Sequence, residues 1–339
     1  MMSSSIIKTE NLTKIYSSNI KAVDNVSFEV EEEEIYGFLG PNGAGKTTTI
    51  LMLITLLKPT SGEATVCGFD VAKEQAKVRA SIGYVSQDTA VDENLTGREN
   101  LLLQGRFYHL PKEVLEKRIN EVLEMVDLAD RASSLVSTYS GGMRKRLDIA
   151  EGLIHRPRVL FVDEPTLGLD IQTRHKIWEY IQRLREESHM TIFLTTHYMD
   201  EADKLCDRIG IIDYGQIKVV GEPNELKSQI GGDIITLKFA NETNIHANEA
   251  LAEIKKLSSI ENVVPIKNSF NVVAKDGETT VPKIFEVASK IGATIESISL
   301  KRPTLDDVFM AYTGRELREE TGNKEDLMKD RIRSWRRRM

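Results

Sequence analysis

Gly40-Pro41-Asn42-Gly43-Ala44-Gly45-Lys46-Thr47 decides how this sequence is read. The octet fits G-x-x-x-x-G-K-[ST] and stands between an expected strand, Ile35–Leu39, and an expected helix that opens at Lys46. Glycines in such a loop let successive backbone N–H groups curl around phosphate oxygens, and the helix N-terminus adds partial positive charge. Lys46 can then reach the β- and γ-phosphates of a nucleotide, and the Thr47 hydroxyl can ligate Mg²⁺.

Further along the chain, four apolar residues, Val159–Val162, run into Asp163 and Glu164. A buried strand would deliver Asp163 to its C-terminal end, where it can hold Mg²⁺ through the metal's water shell. Glu164, one residue on, is placed to polarise a water for in-line attack on the γ-phosphate.

About twenty residues before Asp163 comes Tyr139-Ser140-Gly141-Gly142-Met143. Ser140 reads as an N-cap, and the glycine pair bares the backbone at a helix start, which makes a second anion-binding terminus. In this position the segment resembles the signature motif of the ABC ATPases, usually Leu-Ser-Gly-Gly-Gln, with Tyr139 and Met143 replacing the outer residues. Other motifs of that family match in order. Gln87 resembles the Q-loop glutamine, which touches metal and attacking water. Residues Leu167–Asp170 resemble the D-loop that crosses a dimer interface, and His197 resembles the switch histidine at the γ-phosphate. Tyr16 resembles the aromatic that stacks on adenine, and Thr48 the residue at the α-phosphate. One departure falls at Glu33, which stands where the family usually has glycine, in a turn away from the chemistry.

The resemblance implies catalytic roles for Lys46, Gln87, Glu164 and His197, and metal contacts from Thr47, Gln87 and Asp163. It implies nucleotide contacts from Tyr16, Gly40, Pro41, Asn42, Gly43, Ala44, Gly45, Lys46, Thr47 and Thr48. It also implies that Ser140, Gly141 and Gly142 serve ATP bound by a second copy, in a head-to-tail dimer with two ATPs at its seam. The Tyr139–Met143 variant, the C-terminal appendage and the segment Arg302–Arg315 look like the ATPase subunits of daunorubicin-resistance-type exporters. Such a chain works with ATP and Mg²⁺ and with a separate membrane-spanning permease subunit, on the inner, cytoplasmic face of the cell membrane.

The expected fold is α/β: a P-loop ABC ATPase core with antiparallel β and α-helical subdomains over residues 1–232, then a small α+β ferredoxin-like domain over 233–315 and a charged tail over 316–339. Strands are expected at Ile35–Leu39, Ile82–Val85, Val159–Val162 and Thr191–Thr195, with Val26–Val30 in a flanking antiparallel sheet. Leu101–Leu128 reads as one long helical insertion between strands. After Gly231–Gly232 the order becomes βαββαβ, the ferredoxin-like pattern, followed by a helix at Thr304–Tyr312 that closes near Gly314.

Composition bounds the remaining possibilities. The chain has 339 residues and a net charge of −7, and Cys67 and Cys206 are too far apart in sequence for a disulfide framework or zinc spacing. Residues 1–232 carry −8, residues 233–330 carry −4 and the last nine carry +5, so an acidic body argues against a nucleic-acid partner. The longest nearly apolar run, Ile50–Leu57, is far short of a membrane span, and Met1–Glu10 lacks a signal-peptide profile. An ABC ATPase of DNA repair would carry a long coiled-coil insertion, and one of translation two tandem cassettes; neither is present here. Asn323–Asp326 matches the guanine-reading N-K-x-D pattern but follows no strand, which weighs against a GTPase.

Overall fold

The computed structural model describes residues 5–17, 19–229, 231–240, 245–266 and 269–314. The Asn323–Asp326 pattern and the basic Arg331–Met339 segment lie outside these residues. A six-stranded sheet forms the centre. It comprises β3 (Ile35–Leu39), β6 (Ile82–Val85), β7 (Val159–Asp163), β8 (Thr191–Thr196), β9 (Arg208–Asp213) and β10 (Gln216–Gly221) in the order β10-β9-β3-β8-β7-β6. Only β10 runs antiparallel to its neighbour; the other neighbours are parallel.

These strands read as unbroken apolar runs because both faces are covered. In β8, Ile192 and Leu194 point into one core and Phe193 into the other; Leu160 and Phe161 of β7 divide the same way. On the aromatic side, Phe28, Tyr36, Phe38 and Phe161 surround Phe193 with ring centroids 5.5–5.7 Å apart. That layer joins the central sheet to a second, antiparallel sheet of β1 (Ser5–Ile15), β2 (Lys21–Glu31), β4 (Ser61–Val66) and β5 (Phe69–Asp70), in the order β2-β1-β4-β5.

The helical insertion expected over Leu101–Leu128 is built of two helices. α3 (Gly97–Phe107) ends before Pro111, and α4 (Lys112–Met125) starts after it. Proline lacks the N–H that a continuous helix needs at that position, and here Pro111 serves as the N-cap residue of α4. α5 (Gly141–Leu153) completes this helical layer and leads into β7.

The third sheet, of β11 (Asp233–Phe239), β12 (Ile260–Ile266), β13 (Ser269–Ala274) and β14 (Ile295–Lys301), is wholly antiparallel in the order β12-β13-β11-β14. α9 (Ile245–Ile254) and α10 (Gly277–Ile291) interleave with it as the βαββαβ pattern requires, and its core is separate from the two above. The chain then turns back. α11 (Leu305–Thr313), capped by Thr304 and Asp307, buries Leu305, Val308 and Phe309 in the core that includes β3, β7 and β8. It packs against α7 (Met199–Leu205) and α8 (Pro223–Gln229). By packing, this last helix is part of the N-terminal body.

Glu33 shows why its site favours glycine: its φ is +63°. Its N–H donates to Thr191 Oγ1 at 2.9 Å, its carbonyl accepts from Arg185 Nε at 3.1 Å, and its carboxylate lies 3.0 Å from His189 Nδ1. A side chain in the left-handed region costs about 1–2 kcal/mol, of which glycine's greater unfolded-state freedom takes back about half. The exposed pair with His189 offsets little. Glu33→Gly should therefore gain about 0.5 kcal/mol, visible as a slightly higher Tm with kcat unchanged; a lower Tm would show that the ion pair outweighs the strain.

Candidate functional site

The site begins where β3 ends. The loop 40–45 turns the chain into α1 (Lys46–Leu53), and two conformations that only glycine adopts freely make that turn: Gly43 at φ +80° and Gly45 at φ +107°. Gly43 has no heavy atom within 4 Å of a would-be Cβ and faces open space, whereas a Cβ on Gly45 would sit 2.4 Å from the Ala22 carbonyl. One glycine therefore bares backbone to a ligand, and the other lets two loops close.

The loop opens on a cleft of about 1060 Å³. Pro41, Asn42, Gly43, Gly45, Lys46, Thr47, Thr48, Gln87, Glu164 and His197 line it, and so bring together elements from four parts of the chain. Gly40 and Ala44 lie behind this surface as support; a Cβ on Gly40 would meet the Ile212 carbonyl at 2.2 Å. Tyr16 does not line the cleft, but its hydroxyl lies 3.5 Å from Thr48 Oγ1 and Lys14 Nζ stands 5.6 Å over its ring. Ser140, Gly141 and Gly142 do not line it either. Ser140 caps α5, accepting from the Met143 N–H at 3.3 Å.

At the floor a buried lysine and a buried carboxylate form a chain with a half-buried histidine. Lys46 Nζ donates to the Gly40 carbonyl at 2.7 Å and pairs with Glu164 Oε1 at 3.0 Å. The other carboxylate oxygen of Glu164 lies 2.8 Å from His197 Nδ1. Burial pushes the Glu164 carboxyl up, but the His197 hydrogen bond and the Lys46 charge together prevail, and the net shift is downward. Glu164 itself has a φ of +49°, an uncommon conformation for a carboxylate residue, held by its N–H on the Thr195 carbonyl at 3.1 Å.

Asp163 ends β7 beside this chain. Its Oδ1 accepts from Thr47 Oγ1 at 3.4 Å and, over a shorter contact, from Thr195 Oγ1. Burial raises its carboxyl, with the hydroxyl bonds opposing. Gln87 follows β6 on a segment tied to α5: Lys145 Nζ donates to the Ser86 carbonyl at 2.7 Å and sits 3.4 Å from Asp148. Tyr139, at the place where a leucine is usual, donates its hydroxyl to the Arg131 carbonyl at 2.7 Å, which fixes the approach to Ser140 from inside the helical layer.

Sequence reading missed five cleft residues: Tyr198, Met199, Asp200, Ala22 and Asp306. The first three follow His197 directly and could have been found by extending that segment. Asp306 arrives from α11, more than 250 residues beyond the phosphate loop, and no local pattern announces it.

A phosphate loop ending a central strand, an acidic pair ending its second neighbour and a histidine ending the strand between them is the catalytic layout of an ATP-binding cassette. The chain belongs to the ABC transporter family and is its ATP-binding, ATP-hydrolysing subunit. The family model described as ABC transporter matches residues 23–167, and that described as ATP-binding protein DrrA1-3-like, C-terminal domain, matches 221–313. The linearmycin resistance ATP-binding protein LnrL of Bacillus subtilis is 38% identical over 93% of this chain and all of its own length. The daunorubicin/doxorubicin resistance ATP-binding protein DrrA of Streptomyces peucetius is 40% identical over 91% of this chain and 92% of its own. The Nod factor export ATP-binding protein I of Cupriavidus metallidurans is 35% identical over 93% and 99%. Among solved structures, the ATP-binding cassette MJ0796, a dimer bound to ADP and phosphate, superposes with a TM-score of 0.57 at 31% identity, covering 64% of this chain and 98% of its own.

Proposed function

We propose that this chain drives export through a separate membrane-spanning subunit, by closing on ATP as a head-to-tail pair and reopening after hydrolysis. The names of its relatives, which include resistance and export proteins, support that direction. No described helix is long and apolar enough to cross a membrane, so the reading places the path for the cargo on another chain and this one at the membrane's inner face.

The observation that carries the reading is the Lys46–Glu164–His197 chain on the cleft floor, with its first two members buried. Lys46 is held by the Gly40 carbonyl and Glu164; a triphosphate in the loop competes for it with a larger negative charge. Moving Lys46 to the β- and γ-phosphates removes one of the two groups that hold the Glu164 carboxyl down, the His197 hydrogen bond being the other, so the carboxylate becomes more basic as substrate arrives. Glu164 then orients and polarises water, while His197 steadies the γ-phosphate. Thr47 and Asp163, with Gln87 nearby, would hold Mg²⁺, since their oxygen atoms suit a hard cation. When bound, Mg²⁺ offsets the charge on the phosphates. Pro41, Asn42 and Thr48 surround the phosphates, and Tyr16 flanks the base.

Two measurements test this. Asp163→Asn should raise the Mg²⁺ concentration needed for half-maximal hydrolysis by at least about tenfold, with metal-free ATP binding within about threefold; an unchanged Mg²⁺ requirement overturns the metal assignment. In cells that also express a membrane subunit of about six apolar spans, the chain should sediment with membranes. Sedimentation to the same extent without that subunit overturns the coupling.

A further inference from the structure

The histidine that faces Glu164 is the first member of a stack. His197 and Tyr198, adjacent in sequence, place their ring centroids 4.0 Å apart with their planes tilted by 39°. The Arg174 guanidinium carbon lies 4.1 Å from the centroid of Tyr198, well inside cation–π range. Arg174 is aimed by Asp200, donating to both carboxylate oxygens at 3.1 and 3.2 Å, and its side chain is only 15% exposed. The backbone of Tyr198 is fixed as well, because its N–H donates to Thr196 Oγ1 at 2.9 Å and it caps α7.

Arg174 comes from another part of the chain. It lies in the first turn of α6 (Ile171–Ser188), where its N–H bonds the carbonyl of Asp170, the residue that ends the turn 167–170. A second link runs in parallel. The buried Glu201 carboxylate of α7 accepts from Thr166 Oγ1 and from Trp178 Nε1 of α6, each at 2.8 Å. The segment before and through the start of α6 is therefore tied twice to the segment carrying His197. Leu167, His197, Tyr198 and Asp200 all line the cleft.

We infer that Tyr198 and Arg174 are positioning residues for His197, and that they couple its place against Glu164 to the place of the turn 167–170. An imidazole has two side-chain torsions to fix. The hydrogen bond to Glu164 constrains the ring's reach, and the Tyr198 ring limits its swing. Arg174 carries any shift of the α6 start into that stack. A planar guanidinium can pair with Asp200 and lie over the ring together, which an ammonium cannot do with the same geometry. The inference rests on His197 acting at the γ-phosphate.

The test is steady-state ATP hydrolysis by the full chain, with melting temperature as a check on folding. Tyr198→Ala should lower kcat about tenfold with KM for ATP within about twofold. Tyr198→Phe keeps the ring and should stay within about twofold of the parent. Arg174→Gln should lower kcat about fivefold, and Arg174→Lys should recover part of that loss. In a His197→Ala background, Tyr198→Ala should cost nothing further, because its effect passes through the histidine. Equal losses in both backgrounds, or a Tyr198→Phe variant as impaired as the alanine, overturn the inference. Where turnover is too low to measure, the proton resonance of His197 Hε1 decides. Its ring-current shift should vanish in Tyr198→Ala, survive in Tyr198→Phe and move in Arg174→Gln; an unmoved resonance in Arg174→Gln overturns the coupling. Full activity in His197→Ala alone would instead refute the role of the histidine.

Discussion

Glu164→Gln should bind ATP about as tightly as the parent and lower kcat by about 10²–10⁴-fold, the range expected on losing a positioned general base. The geometry makes this a clean substitution. Glutamine keeps the shape, so the position at φ +49° and the N–H bond to Thr195 persist. The negative charge between Lys46 and His197 is lost. Without it Lys46 is held only by carbonyl oxygens and passes more easily to phosphate, so binding does not weaken. The polarised water loses its acceptor. ATP then persists at the seam, and the variant should elute as a dimer in the presence of ATP where the parent returns to monomer. Steady-state hydrolysis at the parental rate would refute the role of Glu164.

Where chemistry is local in sequence, it was legible. The phosphate loop, the strand ending in Asp163 and Glu164 and the strand before His197 each carry their own apolar run, and a parallel sheet delivers all three to one edge. Pro111 was visible too, but a helical spacing that continues on both sides of it masked the break between α3 and α4. Other features depend on packing between distant segments. Nothing near Asp306 indicates that its helix leaves the ferredoxin-like sheet for the catalytic core; only the match of Leu305, Val308 and Phe309 to the surface of α7 and α8 decides it. The stack on His197 was hidden likewise, since Arg174 and Tyr198 meet only after α6 and α7 have packed.

Ser140→Arg should bind ATP within about threefold of the parent, fail to dimerise and lose at least about 50-fold in turnover, if α5 serves the nucleotide of a second copy. Within one chain the substitution is mild. Ser140 is exposed, and losing its cap on the Met143 N–H costs about 1 kcal/mol. The glycines beside it differ in a way that points outward. A Cβ on Gly142 would meet Thr173 Cγ2 at 2.5 Å, so its bareness has a cause inside the chain. At Gly141 the nearest atom, on Leu169, is 3.6 Å away, an ordinary contact; the fold itself has room for a side chain there. An open helix start with no acidic residue in its first turn suits an approaching phosphate. Arginine adds attraction at that point, but the backbone N–H groups must come to about 3 Å of the phosphate oxygens to bond them. The longer side chain blocks that approach, so sterics outweigh charge. The sharpest measurement places Ser140→Arg in the Glu164→Gln background, where the ATP dimer is otherwise trapped. A monomer by light scattering at saturating ATP is the expected result, and a stable dimer would refute a contact in trans.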